Sequence, residues 1–237
     1  MQLKKIPDSI FLEVFNEYNF IDSPFIPIPS NVGIIVEMKY PLLGMKNAID
    51  KCLVRKEVLD LLLEAKKLLP NHLTFKIWDA YRPLELQREL YYKYKEKIIK
   101  EFKLEKLSKK EQDEIIKNYV SLPKEDEIVG PLHSTGGALD LTLTDINTGK
   151  DLDMGIEFDD FSDLTNTNAF EKEGMDKNIR DNRRILYTVM TEVGFTNLPS
   201  EIWHYDYGDR AWAFYNNEPA LYKGIFKLEE IGEYKNE

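Results

Sequence analysis

The most regular hydrophobic pattern in the chain lies over residues 53–69. Apolar residues recur there at the spacing of one helix face, at Val54, Val58, Leu61, Leu62, Ala65, Leu68 and Leu69. Because residues three and four positions apart share one side of a helix, the pattern predicts an amphipathic helix. Pro70 and Asn71 follow this stretch and predict its end.

Two further helices are indicated later in the chain. Residues 84–102 follow Pro83, which suits the first position of a helix because its missing N–H has no partner there. The many charges in this segment predict a helix on the surface. Residues 182–193 carry apolar side chains on one side and are followed by Gly194, a suitable helix stop.

Two segments are predicted to lie at the periphery. Residues 95–130 contain a run of Lys and Glu, which indicates a solvated helical insertion rather than a binding surface. Within it, Ser108 and Glu111 have the spacing of a capping box, so a short helix is expected to run to about Tyr119. Residues 1–33 become rich in Pro and Ser toward their end and predict an irregular lead-in.

Alternating apolar and polar residues predict the strands. Residues 73–78 alternate as a half-buried strand does, and residues 34–38 and 195–207 contain shorter strand-like runs. In residues 138–143, three leucines predict the side that faces the core, while Asp140 lies on the opposite side. The mixture of elements predicts one α+β domain over the whole chain, with a central, mostly antiparallel sheet flanked by helices.

Composition excludes several kinds of partner. The chain has 237 residues, 43% of them apolar, which is enough for one domain with a sizeable core. Its net charge of −10 argues against binding to nucleic acid or to an anionic membrane. Cys52 is the one cysteine, so the chain has no internal disulfide, and its apolar neighbours favour a buried residue over a catalytic thiol.

The first residues of the chain give no sign of export. A basic start is followed by Glu13, Asn16 and Glu17 instead of an apolar run. The sequence therefore predicts neither a signal peptide nor a transmembrane segment, and the expected location is the cytoplasm.

Two of the three histidines lie in segments that suggest a metal site. Zinc in hydrolytic enzymes takes about three protein ligands and keeps one position open for water. His133, Asp140 and His204 offer such a set. His133 and Asp140 are seven residues apart and would diverge on an unbroken strand, but the glycines at 136–137 permit a turn between them. The alternative is a loop histidine followed by a surface aspartate.

Glu201 and Arg82 complete the candidate chemistry. Glu201 lies three residues before His204, in a segment that Pro199 indicates is leaving a loop, and it offers a general base. Alternatively, Glu201 is an exposed loop carboxylate, and His204 is a core histidine among aromatic neighbours. Arg82 follows a predicted strand and can direct its guanidinium at a developing oxyanion, unless it only forms a salt bridge to Asp79.

Three motifs in this order resemble those of the D-alanyl-D-alanine dipeptidases. They are Asp-Ala-Tyr-Arg-Pro at 79–83, His-Ser-Thr-Gly-Gly-Ala-Leu-Asp-Leu-Thr-Leu at 133–143 and Glu-Ile-Trp-His-Tyr at 201–205. Further similar segments lie at 152–160, 183–187, 194–197 and 207–209, so the resemblance runs from about Tyr40 to the C-terminal region. The wider group of zinc D,D-peptidases shares a fold with the Hedgehog signalling domain.

This resemblance implies roles for individual residues. It implies one zinc ion per chain, with His133, Asp140 and His204 as its ligands, and hydrolysis of the D-Ala-D-Ala dipeptide by metal-activated water. Glu201 is implied as the general base and acid, and Arg82 as the group that stabilises the tetrahedral intermediate. Asp159 is implied as the residue that binds the free ammonium of the substrate. Tyr40 is implied at the same end of the substrate, by a looser alignment.

The resemblance is incomplete at two positions, and it leaves rival functions open. Some relatives carry a substrate-binding Ser where this chain has Pro131, and Ile202 replaces the first Trp of a Glu-Trp-Trp-His motif. One rival is a D,D- or L,D-carboxypeptidase acting on peptidoglycan, which would need export. Another is a zinc-binding interaction domain without catalysis, against which the retained Glu201 and Arg82 argue. The third is an unrelated α+β protein with coincidental motifs.

Overall fold

The computed structural model describes residues 2–10, 17–116, 120, 123 and 130–232 of the protein. The strands in these residues are β1 (Phe25–Pro27), β2 (Ile35–Val36), β3 (Leu53–Arg55), β4 (Leu73–Asp79), β5 (Ala138–Asp145), β6 (Thr196–Asn197) and β7 (His204–Asp206). The α-helices are α1 (Lys39–Leu42), α2 (Lys56–Leu68), α3 (Leu84–Glu101), α4 (Lys109–Ile116), α5 (Lys177–Glu192) and α6 (Arg210–Asn216). Short 3₁₀ turns lie at Ser30–Val32, Leu132–Thr135, Asp163–Thr165, Ala169–Glu171 and Leu228–Ile231.

A five-stranded sheet in the order β2-β4-β5-β7-β6 forms the centre of the fold. Within this sheet, β2 and β4 are parallel, and the pairs β4–β5, β5–β7 and β6–β7 are antiparallel. In this register Asp140 lies opposite both Asp79 on β4 and His204 on β7. The prediction of an α+β domain with a mostly antiparallel central sheet is confirmed.

One face of β5 builds the main core. Leu139, Leu141 and Leu143 are fully buried and pack with apolar residues of α2 and α5. The opposite face, with Asp140 and Thr142, is buried as well. Strand β4 is buried along its whole length, so the prediction of a half-buried strand at 73–78 was wrong. A central strand is covered by elements on both faces, which its own alternation does not reveal.

Three predicted boundaries differ from the structure. Helix α2 begins at Lys56, because Leu53–Arg55 is a strand that pairs with Phe25–Pro27 in a separate two-stranded sheet. The lead-in over 1–33 is therefore not wholly irregular. Helix α3 begins at Leu84, and Pro83 is its extended N-terminal flank rather than its first residue.

Helix α5 also begins earlier than the apolar pattern indicated. It starts at Lys177, and the carboxylate of Asp176 accepts hydrogen bonds from the N–H groups of Asn178 and Ile179. A polar first turn that is capped in this way shows no hydrophobic periodicity. Gly194 follows the helix with φ +104°, as the predicted stop requires.

Helix α3 is more buried than its charge indicated. Leu84, Leu86, Leu90, Tyr91 and Ile98 are buried. Its second half packs on α4 around a small apolar cluster, and the capping box between Ser108 and Glu111 is present. Residues 117–119, 121–122 and 124–129 lie outside the described part, so the end of the predicted helix near Tyr119 and the insertion at 95–130 remain predictions.

A smaller expectation, the burial of the single cysteine, is met. Cys52 is buried in the main core, where burial raises the pKa of its thiol far above the usual value. His72 is exposed in the turn before β4. Among the helices of the described residues, none has both the length and the apolar character needed to cross a membrane.

Candidate active site

His133, Asp140 and His204 meet at one end of the central sheet. Asp140 lies on β5 and His204 opens β7 directly opposite, while His133 belongs to the 3₁₀ turn before β5. The Asp140 Oδ1 is 3.0 Å from His204 Nδ1, and its Oδ2 is 3.4 Å from His133 Nε2. One ligand atom from each residue lies within 4.8 Å of the others, and all three residues are buried. Such a group could hold a metal ion.

Two glycines allow His133 to turn back toward Asp140. Gly136 has φ +72°, and a Cβ there would lie 2.2 Å from the ring of Phe25. A Cβ on Gly137 would lie 2.4 Å from the carbonyl oxygen of Tyr207. Because neither position has room for a side chain, both glycines are needed for this turn. The predicted turn between the two candidate ligands is confirmed.

In each of the two histidines, the ring nitrogen that faces away from the cluster already has a hydrogen-bond partner. His133 Nδ1 donates to the carbonyl oxygen of Ala80 at 2.7 Å, which leaves Nε2 as the atom available to bind a metal. His204 Nε2 is 2.8 Å from Oδ1 of buried Asp206, which leaves Nδ1 for the metal. Metal-binding histidines usually donate their second N–H to a carbonyl or carboxylate. Two imidazole nitrogens and one carboxylate fit the preferences of zinc.

Glu201 lies beside this cluster on the loop before β7. Its Oε2 is 3.9 Å from His204 Nδ1 and accepts a hydrogen bond from Trp203 Nε1 at 3.1 Å. The N–H of His204 donates to the carbonyl oxygen of Glu201, so the two residues are joined by a tight turn. This turn brings the side chains of Glu201 and His204, three residues apart, close to each other. Burial raises the pKa of the Glu201 carboxyl, and Asp140 raises it further.

Arg82 is held firmly at the end of β4. Its Nε and Nη2 donate to Oδ2 of Asp79 at 2.8 and 2.6 Å, and its Nη1 donates to Gln87. The Nη2 is also 3.6 Å from Oδ2 of Asp140. The salt bridge to Asp79 is therefore present, and it holds the guanidinium at the wall of the same cavity as the metal cluster.

Asp159 lies at the other predicted substrate position, next to Tyr40. The Tyr40 hydroxyl donates to Asp159 Oδ1 at 3.5 Å and accepts from Arg82 Nη2 at 3.2 Å. The hydroxyl of Tyr94, on α3, donates to the second carboxylate oxygen. Burial raises the pKa of Asp159 to about 7, although Tyr94 and Arg82 act in the opposite direction. The structure thus brings Asp159 and Tyr40 together.

A single cavity of about 490 Å³ joins these groups. Its lining includes both histidines, Asp140, Glu201, Arg82, Tyr40 and Asp159. This volume lies within the usual range of small-molecule sites. All seven residues singled out from the sequence therefore line one cavity, and their individual roles remain predictions.

Arg183 holds the loop that carries Asp159. The side chain is 1% exposed, and its Nε, Nη1 and Nη2 donate to the carbonyl oxygens of Met154, Asn166 and Leu164 at 2.7–2.8 Å. These carbonyls bracket the segment that contains Asp159. Arg183 thus fixes the path of this cavity wall.

Replacing Arg183 by Met is expected to lower the free energy of unfolding by about 3 kcal/mol, because buried carbonyls lose their donors. Denaturant unfolding measures the change. The matched control is Arg180→Met on the same helix, where a partly exposed ion pair to Asp181 is lost. Its cost should be about 1 kcal/mol or less. Equal costs for the two variants would contradict the structural role of Arg183.

Three contributing residues were missed by sequence analysis. Tyr94 lies in the helix that charge alone assigned to the surface, and Arg183 appeared only as part of a family-like segment. Asp206 lies two residues after His204, and on a strand this spacing places the two side chains on one face. That spacing is the one signal from which its contact with His204 was predictable.

The chain is similar to known peptidases. The sequence profile of the Peptidase_M15 family, described as D-ala-D-ala dipeptidase, matches residues 42–222. A D-alanyl-D-alanine dipeptidase from Synechocystis sp. is 31% identical over 155 residues, which are 60% of this chain and 62% of the relative. One from Enterococcus faecium is 31% identical over 63% of this chain and 70% of the relative.

Two solved structures of D,D-peptidases are less similar to this chain in sequence. A crystal structure of the vancomycin-resistance D,D-pentapeptidase VanY in complex with Zn(II) aligns with a TM-score of 0.42 at 14% identity, over 87% of this chain and 94% of that chain. A VanYB structure in complex with D-alanine-D-alanine aligns with a TM-score of 0.43 at 13% identity, over 82% and 90%.

Proposed function

The chain belongs to the Peptidase_M15 family of D-ala-D-ala dipeptidases, and from this premise we propose that it is a zinc-dependent enzyme that hydrolyses D-alanyl-D-alanine to two molecules of D-alanine. The observation that carries the proposal is the position of Glu201. Its carboxylate lies 3.9 Å from Nδ1 of His204, which forms the candidate metal cluster with His133 and Asp140. A metal site that served only structure would not need a further carboxylate beside its ligands.

The proposed chemistry divides between the metal and the side chains. Zinc, when held by His133, Asp140 and His204, would lower the pKa of a bound water to about 7 and polarise the substrate carbonyl. Glu201 takes a proton from the attacking water and returns it to the leaving amine. Arg82 places its fixed guanidinium near the developing oxyanion. A carboxylate beside the attacking water can serve both halves of this proton transfer, because it accepts a proton as a base and returns it as an acid.

The other end of the cavity favours a free amino terminus. Asp159 offers a carboxylate between the hydroxyls of Tyr40 and Tyr94, and an ammonium group can replace the hydrogen bond from either of them. Such a site selects a dipeptide over a peptidoglycan strand, whose terminal D-Ala-D-Ala has no free amine. A cytoplasmic location is part of the same proposal, since a free dipeptide would be met there.

The experiment that tests the function compares two substrates. Zinc-loaded protein is incubated with D-Ala-D-Ala and, in parallel, with its N-acetyl derivative, and released D-alanine is measured. We expect release from the free dipeptide only. Release from the acetylated substrate would indicate a carboxypeptidase instead. No release from either would contradict the proposed reaction and favour a silent metal-binding domain.

The pH dependence of substrate binding should reflect Asp159. Its pKa is raised to about 7, so the carboxylate form that pairs with an ammonium is lost as the pH falls below this value. The amino group of the dipeptide stays protonated up to about pH 8. Affinity should therefore be highest between about pH 7 and 8 and fall by up to about tenfold per unit below this window.

Calorimetry of the inactive Glu201→Gln variant with D-Ala-D-Ala measures this dependence without turnover. The control is the same protein with Asp159→Asn, which should bind more weakly and without the fall below about pH 7. An identical pH profile in both proteins would show that another group controls amine binding.

A further inference from the structure

Arg210 is a charged group in the cavity wall that the proposed mechanism does not use. Two side chains with a permanent positive charge line the cavity among the described residues, Arg82 and Arg210. Arg82 donates to Asp79, Gln87 and Tyr40. In contrast, the Arg210 side chain makes no hydrogen bond or ion pair with any described residue, and its buried Nε has no partner.

A buried Nε–H without a partner is costly unless a ligand accepts its hydrogen bond. A buried polar group without a partner destabilises a protein, and the penalty is larger for a charged group. Arginine is also the side chain that best matches a carboxylate, because its planar donors form two parallel hydrogen bonds. The unpartnered Arg210 therefore indicates an anionic ligand.

The charge of the cavity favours such a positive group. Its lining contains five acidic residues, Asp140, Asp159, Asp160, Asp163 and Glu201. A substrate with a negatively charged end would be repelled by these groups unless a positive side chain received that end. Arg82 is already paired, so Arg210 is the cationic side chain left to receive it.

The order of the strands places Arg210 opposite the amine site. Tyr40 follows β2, the edge strand next to β4, and Asp140 lies on β5 in the centre. His204 lies on β7, beyond β5, and Arg210 is the first residue of α6, the next element after β7. The cluster residues Asp140 and His204 lie on β5 and on β7 itself, so in the strand order they separate the strand that leads to Tyr40 from the helix that begins with Arg210.

The backbone of Arg210 is well fixed. The buried carboxylate of Asp209 accepts hydrogen bonds from the N–H groups of Ala211 and Trp212 and so caps the start of α6. Because the helix start is capped, the backbone position from which the Arg210 side chain extends is fixed. This favours a binding role over that of a mobile surface charge.

We propose that Arg210 binds the C-terminal carboxylate of the substrate. The inference rests on the proposed dipeptidase function and deepens it, since a dipeptide carries an ammonium at one end and a carboxylate at the other. Asp159 receives the ammonium, the scissile carbonyl lies at the metal cluster, and Arg210 receives the carboxylate. Recognition of both ends limits the substrate to free dipeptides.

The test compares binding of D-Ala-D-Ala with binding of its C-terminal amide, which keeps the amine and the scissile bond but lacks the charge. Both are titrated into zinc-loaded Glu201→Gln protein by calorimetry. We expect this protein to prefer the acid over the amide by about 10- to 100-fold, as a charge-assisted bidentate pair implies. Adding Arg210→Met should weaken binding of the acid to the level of the amide and leave amide binding unchanged.

Two further variants sharpen the result. Arg180→Met removes a partly exposed arginine that does not line the cavity, and it should retain the full preference for the acid. Arg210→Lys keeps the charge but loses the planar donors, and it should restore part of the preference.

Several outcomes would overturn the inference. Retention of the full preference for the acid in Arg210→Met would show that another group binds the carboxylate. Equal weakening of acid and amide in that variant would show that Arg210 serves only the structure of the site. These results are distinct from failure of the proposed function, which would appear as no D-alanine release from D-Ala-D-Ala by the wild-type protein.

Discussion

Replacement of Glu201 by Gln is expected to lower kcat by about 10²- to 10⁴-fold, the usual contribution of a general base and acid. Glutamine keeps the size of the side chain and its hydrogen bond with Trp203, but it cannot take a proton from water. Because Glu201 is not one of the three clustered donors, zinc should remain bound. Glu201→Ala should behave in the same way, with turnover lost and metal retained.

The measurement is D-alanine release under saturating dipeptide, together with zinc content by atomic emission. The control is Glu157→Gln, which changes an exposed carboxylate that does not line the cavity. Its kcat should stay near that of the wild type. Near-normal turnover in Glu201→Gln would show that Glu201 is not the base.

Loss of either clustered histidine is expected to remove the metal. His133→Ala or His204→Ala leaves one imidazole and one carboxylate, fewer protein ligands than the three usual at a catalytic zinc site. Removing a group that only orients a ligand costs about 10- to 100-fold in metal affinity, and losing the ligand itself should cost more. Turnover should fall with the zinc content.

The chain supplies a matched control for this experiment, since it has three histidines. His72 is exposed and lies outside the cavity, so His72→Ala should retain both zinc and activity. Zinc per chain after dialysis distinguishes the variants. Full zinc retention in both His133→Ala and His204→Ala would contradict their assignment as ligands.

The local parts of the fold were predictable where a single segment carries its own signal. The apolar side of α5 and the leucines of β5 follow from periodicity, because each repeats with the geometry of its element. The capping box at Ser108 is equally local. In contrast, β3 was assigned to the helix that follows it, since its pairing with β1 joins residues almost thirty positions apart.

The candidate site shows the same division. His133, Asp140, His204 and Glu201 were found because ligand types recur at short spacing in recognisable motifs. The glycine turn was predictable from two adjacent residues. Tyr94 and Arg210 were not found, because a tyrosine or arginine in a polar segment looks the same whether it faces solvent or a cavity.

By itself, the sequence determined which residues have the right chemistry and which stretches form helices and strands. These properties depend on side-chain type and on neighbours within a few positions. The tertiary structure decided which groups meet. The register of β5 against β4 and β7 brings Asp140 opposite Asp79 and His204, and α3 delivers Tyr94 to Asp159. It also left Arg210 unpaired in an acidic cavity, because pairing and burial depend on contacts between distant parts of the chain.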